Sequence, residues 1–206
     1  MPDLLRTVAP QASAGSDRSR CDTDVRNTGL MAETISPAAS DEDYLAFASL
    51  IGEYFDWLRT RYAVDAPWLI DAVGSHQGID EELRTLSDVY SPPRGKALLA
   101  IRDADVVGAG GYRDLGDGTC EMKRVFVPDR HQGRGIGRRL CEALIATATA
   151  DGYRIMRLDT AWLNTEALAM YSSLGFAECA PYHEYPQDLM PHLRFMQRSL
   201  VADSTQ

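Results

Sequence analysis

Between Val125 and Arg138 the chain reads Val125-Phe126-Val127-Pro128-Asp129-Arg130-His131-Gln132-Gly133-Arg134-Gly135-Ile136-Gly137-Arg138. The first residues suit a strand, Pro128 ends its ladder donation, and the glycines open an amphipathic helix. At such a helix start the backbone N–H groups have no internal partner and carry the positive end of the dipole, which suits a phosphate. Gly133, Gly135 and Gly137 let a bulky diphosphate approach the main chain, and Arg134 and Arg138 can add charge-assisted contacts. Two other phosphate loops fit poorly. A Walker loop closes on Gly-Lys-Ser/Thr, where this chain has Arg138-Arg139-Leu140. A dinucleotide glycine pattern begun at Gly133 needs glycine at Arg138, and one begun at Gly135 needs it at Leu140. A glycine-rich helix start with no ligand is the remaining alternative.

A second block lies downstream, Asn164-x-x-Ala167-x-x-x-Tyr171-x-x-x-Gly175-Phe176. With Gln132-Gly133-Arg134-Gly135-Ile136-Gly137 following Val125-Phe126-Val127, it resembles the two signature segments of the GNAT acetyltransferases: the Q/R-x-x-G-x-G/A acetyl-CoA loop and the N-x-x-A-x-x-x-Y-x-x-x-G-F helix. The resemblance spans Glu33 to Leu200, is tightest from Glu121 to Phe176, and leaves out residues 1–30. It implies an α/β fold with a mixed, mostly antiparallel sheet splayed between its fourth and fifth strands and helices on both faces. The pantetheine arm of acetyl-CoA, the co-substrate, would enter that gap as a pseudo-strand, opened by a bulge near Arg124–Phe126. Main-chain groups of Val125 and Val127 would bond pantetheine. One N–H, from Val125 or Phe126, would polarise the thioester carbonyl, a kind of donor whose loss costs about 3 kcal/mol.

The same resemblance places the other candidates. Gln132, Gly133, Arg134, Gly135, Ile136, Gly137 and Arg138 would surround the diphosphate. Asn164 would bond pantetheine or main chain, or cap its helix. Tyr171 falls where the family has the phenol that protonates the departing thiolate; a reference pKa of about 10 keeps it protonated at neutral pH. Its alternative is plain packing under the sheet. A lysine-like amine is only about one part in a thousand neutral at physiological pH, a deficit of roughly 4 kcal/mol, so a base is needed. Glu121 and Asp159 both sit where members of the family carry a carboxylate, with Glu121 the favoured base; either could instead pair with Lys123 or Arg157. The reaction implied is acetyl transfer to a small-molecule or peptide amine in a ternary complex. Transfer of another acyl group, or a CoA-binding sensor without chemistry, are the competing readings. A homodimer is compatible with the resemblance, and no metal is expected.

These residues need elements to hold them. Ser40 followed by Asp41, Glu42 and Asp43 marks a helix start, and Tyr44, Phe47, Ile51, Phe55 and Leu58 continue it at helical spacing to about residue 61. A short strand at Glu33–Ile35 precedes it. Residues 62–76, with Pro67 and Trp68, break the period, and a second helix is predicted from Asp80 to Val89. Strands at Lys96–Arg102, Asp105–Tyr112 and Thr119–Val127 are joined by short turns, as in an antiparallel meander. A helix over Gly135–Ala150, a strand over Arg154–Thr160, a helix over Thr165–Leu174 and strands at Phe176–Cys179 and Leu193–Leu200 complete the order βααβββαβαββ. Tyr182, His183 and Tyr185, and Trp68 with its neighbours, are candidates to line the acceptor site or simply to pack in loops. His131 reads as an exposed loop residue, and Cys120, Cys141 and Cys179 as small apolar packing groups.

Composition narrows the function. The 206 residues carry a formal charge of −9, which disfavours nucleic acid as a partner. Four scattered cysteines, with no CxxC pair, argue against a disulfide framework or zinc site and fit a reducing cytoplasm. No apolar run nears the ~20 residues of a membrane span. In residues 1–30, Asp3, Asp17, Asp22 and Asp24 balance Arg6, Arg18, Arg20 and Arg26, and no apolar period is visible. This segment is expected to be a disordered leader, with Met31 as an alternative start, and residues 31–206 to form the catalytic domain.

Overall fold

Ser40 starts the first long helix by a reciprocal exchange. Its hydroxyl accepts from the Asp43 backbone N–H at 3.2 Å, and the Asp43 carboxylate accepts from the backbone N–H groups of Ser40 and Ala39, each at 2.9 Å. This capping box satisfies donors that the helix itself cannot, with Asp41, Glu42 and Asp43 at the positive end of the dipole. The helix, α1, runs Asp41–Tyr62 and buries Phe47, Leu50, Ile51, Phe55, Leu58 and Tyr62 along one face. The structure, a computed structural model, describes residues 33–201. The expected leader over residues 1–30 therefore lies outside the described residues.

Residues 62–76 are not irregular throughout, as the sequence suggested. Helix α2 spans Leu69–Gln77, with Leu69 and Ile70 buried and Gly74 turned toward Phe55; a Cβ at Gly74 would come within 3.2 Å of that ring. Nine residues interrupted by a glycine carry too little periodicity to stand out, and contact with α1 supplies what propensity does not. The single helix expected over Asp80–Val89 is likewise divided, into α3 (Ile79–Arg84) and α4 (Leu86–Val89), with Thr85 between them in a non-helical conformation.

The strands are β1 (Thr34–Pro37), β2 (Gly95–Arg102), β3 (Asp105–Gly116), β4 (Thr119–Phe126), β5 (Ile155–Ala161), β6 (Ala177–Glu178) and β7 (Leu193–Ser199). Helices α5 (Ile136–Ala150) and α6 (Thr165–Ser173) flank β5 in the chain. Among the described residues these strands form one mixed sheet in the order β1-β2-β3-β4-β5-β7-β6, antiparallel except where β4 meets β5. That parallel contact pairs only Thr119 with Ile155, Cys120 with Met156 and Glu121 with Arg157. Past it the strands run on unpaired with one another, which is the splay.

Side-chain alternation in β2 divides the core. Leu98 and Ala100 pack under α5 and α6, whereas Ala97 and Leu99 pack under α1 and its neighbours. No described helix is long and apolar enough to cross a membrane. Removing the Ser40 hydroxyl tests the start of α1: Ser40→Ala should lower unfolding stability by about 1 kcal/mol in urea titration, with little change in slope.

Candidate active site

The extra residue in β4 fixes which side chains meet. Ala109 of β3 pairs with Phe126, but Gly111 pairs with Lys123, so two steps on β3 match three on β4. The bulge falls at Arg124, whose φ of 59° lies in the left-handed region. Before it, Cys120 and Met122 face α5 while Glu121 and Lys123 face the other way. After it, Val125 and Val127 pack toward α5, and Phe126 joins the core under α1. The inserted residue thus leaves Lys123 and Arg124 lining the same cavity on the α1 side.

Arg124 is anchored there. Its guanidinium donates to both Glu82 oxygens, Nε to Oε1 at 2.8 Å and Nη2 to Oε2 at 2.6 Å, and lies 5.3 Å above the Phe55 ring. Tyr90 donates its phenol proton to Glu82 Oε1 at 2.6 Å. Burial alone would raise the Glu82 carboxyl, but the hydrogen bonds and charge of Arg124, with the Tyr90 bond, outweigh it and bring its pKa from 4.5 down to about 2.

On the α5 side β4 leads through Pro128 and a short 3-10 turn at Asp129–His131 into the glycine loop. Gln132 does not reach outward; its amide donates to the Val127 carbonyl and to Asp129 Oδ1, both at 2.8 Å, and so ties the loop to the strand end. Gly133 and Gly135 both have φ of 74°, a conformation that side-chain-bearing residues resist. Gly135 is the N-cap of α5, and no side chain caps that helix. Arg139 donates to the Arg134 carbonyl at 3.0 Å, bracing the loop from behind.

A cavity of about 460 Å³ opens over this helix start. Val125, Phe126, Val127, Gln132, Gly133, Gly135, Ile136, Gly137 and Arg138 line one side, and Thr160, Asn164 and Tyr171 another. Of the residues proposed from sequence to hold the coenzyme, Arg134 alone lies outside this lining, and its side chain is exposed. Asn164 does not cap α6 with its side chain. It donates to Thr160 Oγ1 at 3.0 Å, while its Oδ1 is buried without a partner. Tyr171 is 8% exposed, and its ring meets Phe176 edge-on. Burial, aided by Cys141, Tyr54 and Asp159, pushes its phenol well above the usual value, so the group is a proton donor at neutral pH.

The two candidate carboxylates share one network but differ in access. Glu121 is fully buried and is enclosed by Arg113 Nε at 2.7 Å, His183 Nε2 at 2.8 Å, the Tyr182 phenol at 3.1 Å and Lys123 Nζ at 3.7 Å. Burial opposes its ionisation, but Lys123, His183 and Arg113 outweigh that and hold it well below the carboxylate range. Asp159 accepts from Tyr185 at 3.0 Å and from Gln77 at 3.4 Å, with Lys123 Nζ at 3.6 Å. Asp159 lines a second cavity, on the α1 and α2 side; Glu121 lines neither. Tyr182 and His183 thus brace Glu121 and Tyr185 braces Asp159, and none of the three is among the residues lining these two cavities. Arg157 pairs with neither acid and instead sits 5.2 Å over the Tyr182 ring. Trp68 packs edge-on against His192 and is half exposed, but Ile70 and Val73 from the same segment do line the second cavity.

Several residues at the site had no signal in the sequence. Tyr54 and Thr160 line both cavities, and burial raises the Tyr54 phenol to about 12. Gln77 comes from α2, which a periodicity reading does not resolve, and Glu82 from the helix expected over Asp80–Val89, where nothing local marks it as the partner of Arg124. His131, expected to be exposed, has a half-buried ring, with Nδ1 buried and unpartnered. Cys120 and Cys141 are buried thiols, each pushed by burial to about 12, and no described group of His, Cys, Asp or Glu is arranged to hold a metal.

A family model described as the acetyltransferase (GNAT) family matches residues 51–176. Over 165 residues the chain is 29% identical to an uncharacterised N-acetyltransferase of Schizosaccharomyces pombe, covering 79% of this chain and 92% of that protein. Over 156 residues it is 32% identical to the IAA acetyltransferase of Azospirillum brasilense, covering 75% and 91%. Among solved structures, the PaiA N-acetyltransferase of Thermoplasma acidophilum, in complex with coenzyme A, shares the fold with a TM-score of 0.59 at 16% identity, covering 82% of this chain and 99% of that one.

Glu82 has a depressed folded-state pKa, so its contribution to stability is complete above pH 4.5 and is lost as pH falls from 4.5 toward 2. Glu82→Gln strands the buried Arg124 charge and should cost about 3–5 kcal/mol at neutral pH. In urea denaturation the gap between wild type and variant should narrow as pH drops through that window; a constant gap would contradict the assignment.

Proposed function

The chain belongs to the GNAT family of acetyltransferases, and on that premise we propose that it moves an acetyl group from acetyl-CoA to an amine by direct attack while both substrates are bound. One observation carries the reading. The uncapped start of α5, the orphan Asn164 Oδ1 and the protonated Tyr171 all border the same 460 Å³ cavity. The residues there fit the coenzyme. Helix-start N–H groups suit a diphosphate, and a buried amide oxygen without a donor suits the amide N–H groups of pantetheine.

The roles of the chain's own groups follow. Gly133 and Gly135 keep the loop backbone bare for the phosphates, and Gln132 fixes that loop to β4. The end of β4 beyond the bulge and the residue after it, Val125 to Val127, offer main-chain groups to the pantetheine and a donor to the thioester oxygen. Tyr171 gives its proton to the sulfur as the carbon–sulfur bond breaks. Asp159 takes the proton that the amine loses as the nitrogen–carbon bond forms. We assign that step to Asp159 rather than Glu121 because Asp159 borders a cavity, whereas Glu121 is closed off by four cationic or hydrogen-bonding neighbours, with Lys123, His183 and Arg113 holding it ionised. Glu121 instead sets the charge around Lys123.

Tyr171→Phe removes the proton without emptying the volume. It should lower kcat by about 100-fold while leaving the dissociation constant for acetyl-CoA within about twofold. Stopped-time thiol release and calorimetry measure the two quantities, and unchanged turnover would remove Tyr171 from the mechanism.

A further inference from the structure

The second cavity meets the first at Tyr54 and Thr160, and it is built from two unlike halves. It is narrow, about 60 Å³. One wall is hydrocarbon, from Phe55 and Leu58 of α1, Ile70 and Val73 of α2 and Leu193 of β7. The other end carries Gln77, Lys123 and Asp159.

The Gln77 amide has a fixed sense. Tyr185 gives its phenol proton to Asp159 Oδ2 and accepts from Gln77 Nε2 at 2.7 Å. The same nitrogen faces Asp159 Oδ2 at 3.4 Å. Turning the amide over would set its oxygen against a carboxylate, acceptor to acceptor. Gln77 Oε1 is left buried without a donor, alone in that among this cavity's described lining residues. A buried acceptor of this kind calls for an N–H.

The charges around it are already balanced. Lys123 stands 3.6–3.7 Å from Asp159 and Glu121, Arg113 holds Glu121, and Arg124 is committed to Glu82. Three cations thus face three anions. A carboxylate or a second ammonium on an incoming ligand would meet no uncompensated partner, and its desolvation would go unanswered.

We propose that this cavity is the acceptor site and that it takes a primary amine on a compact, uncharged, apolar body. The assignment rests on the acetyl-transfer reading of the larger cavity. The amine's two N–H groups bond Gln77 Oε1 and the Asp159 carboxylate, and its lone pair turns toward the boundary at Tyr54 and Thr160. The hydrocarbon lies against Leu58, Ile70 and Val73. During transfer the nitrogen–carbon bond forms and the carbon–sulfur bond breaks. The amine proton passes to Asp159, and Tyr171 supplies the proton for sulfur.

A matched set of acceptors tests this on the full chain with acetyl-CoA, reading thiol release. 3-Methylbutylamine presents the amine and the apolar body; leucine adds a carboxylate to it, and 1,4-diaminobutane carries a second ammonium. The value of kcat/KM for 3-methylbutylamine should exceed both others by about tenfold or more. Equal or reversed preference, or turnover of none of the three, overturns the acceptor assignment. In Gln77→Leu the KM for 3-methylbutylamine should rise about tenfold while coenzyme A binding by calorimetry stays within about twofold; an unchanged KM removes the Gln77 seat. Absence of coenzyme A uptake by wild-type protein is a separate result, and it strikes the reading of the larger cavity instead.

Discussion

Everything at the site depends on one buried ion pair, Glu82 with Arg124. A non-glycine residue at positive φ costs about 1–3 kcal/mol, so the backbone at Arg124 holds that conformation only if its surroundings insist on it. Two charge-assisted hydrogen bonds from Arg124 to Glu82, a third donor to Glu82 in Tyr90, and the Phe55 ring beneath the guanidinium supply the insistence. The small residues opposite make room: a Cβ at Gly110 would lie 2.9 Å from Val125, and one at Gly111 would lie 2.6 Å from Tyr90. Strand, helix and glycine therefore agree on the same distortion.

The bulge matters because a strand has a period of two. One inserted residue reverses the facing of all that follows. Up to Lys123 the odd-numbered side chains of β4 face α1 and α2; beyond Arg124 the odd-numbered Val125 and Val127 face α5. A single strand thus supplies charged groups to one cavity and apolar groups to the other. The two cavities touch only where β4 and β5 have parted, at Thr160 and under Tyr54. The splay and the meeting of the two cavities are the same structural fact.

Their electrostatics differ in the way the proposed chemistry requires. The larger cavity offers the positive end of an uncapped helix and, among its described lining residues, no carboxylate except Glu166, which Arg61 holds at 2.6 Å. The smaller one is a closed set of opposite charges with one unanswered acceptor. An anionic diphosphate suits the first, and a neutral nucleophile suits the second. Low dielectric strengthens both preferences.

The grouping of Asn164 and Tyr171 with the glycine loop came from the resemblance to the GNAT family; local chemistry in the sequence was enough to mark the loop itself, the helix start at Ser40 and the antiparallel meander. Each of these depends on residues a few positions apart: a cap and its helix, alternating side chains between turns, glycines before an amphipathic run. Helix α2 and the break at Thr85 between α3 and α4 escaped because such short segments gain their stability from packing on neighbouring helices rather than from their own period. Between Glu121 and Asp159, acids on neighbouring strands, the sequence leans to Glu121, against the assignment proposed for Asp159. What separates them is which one the fold encloses with Arg113, His183 and Tyr182, residues 8, 62 and 61 positions from Glu121 along the chain. Gln77, Glu82 and Tyr54 entered the site in the same manner. A side chain's charge state and access are set by neighbours distant in sequence, and only the folded chain brings those neighbours within a few ångströms.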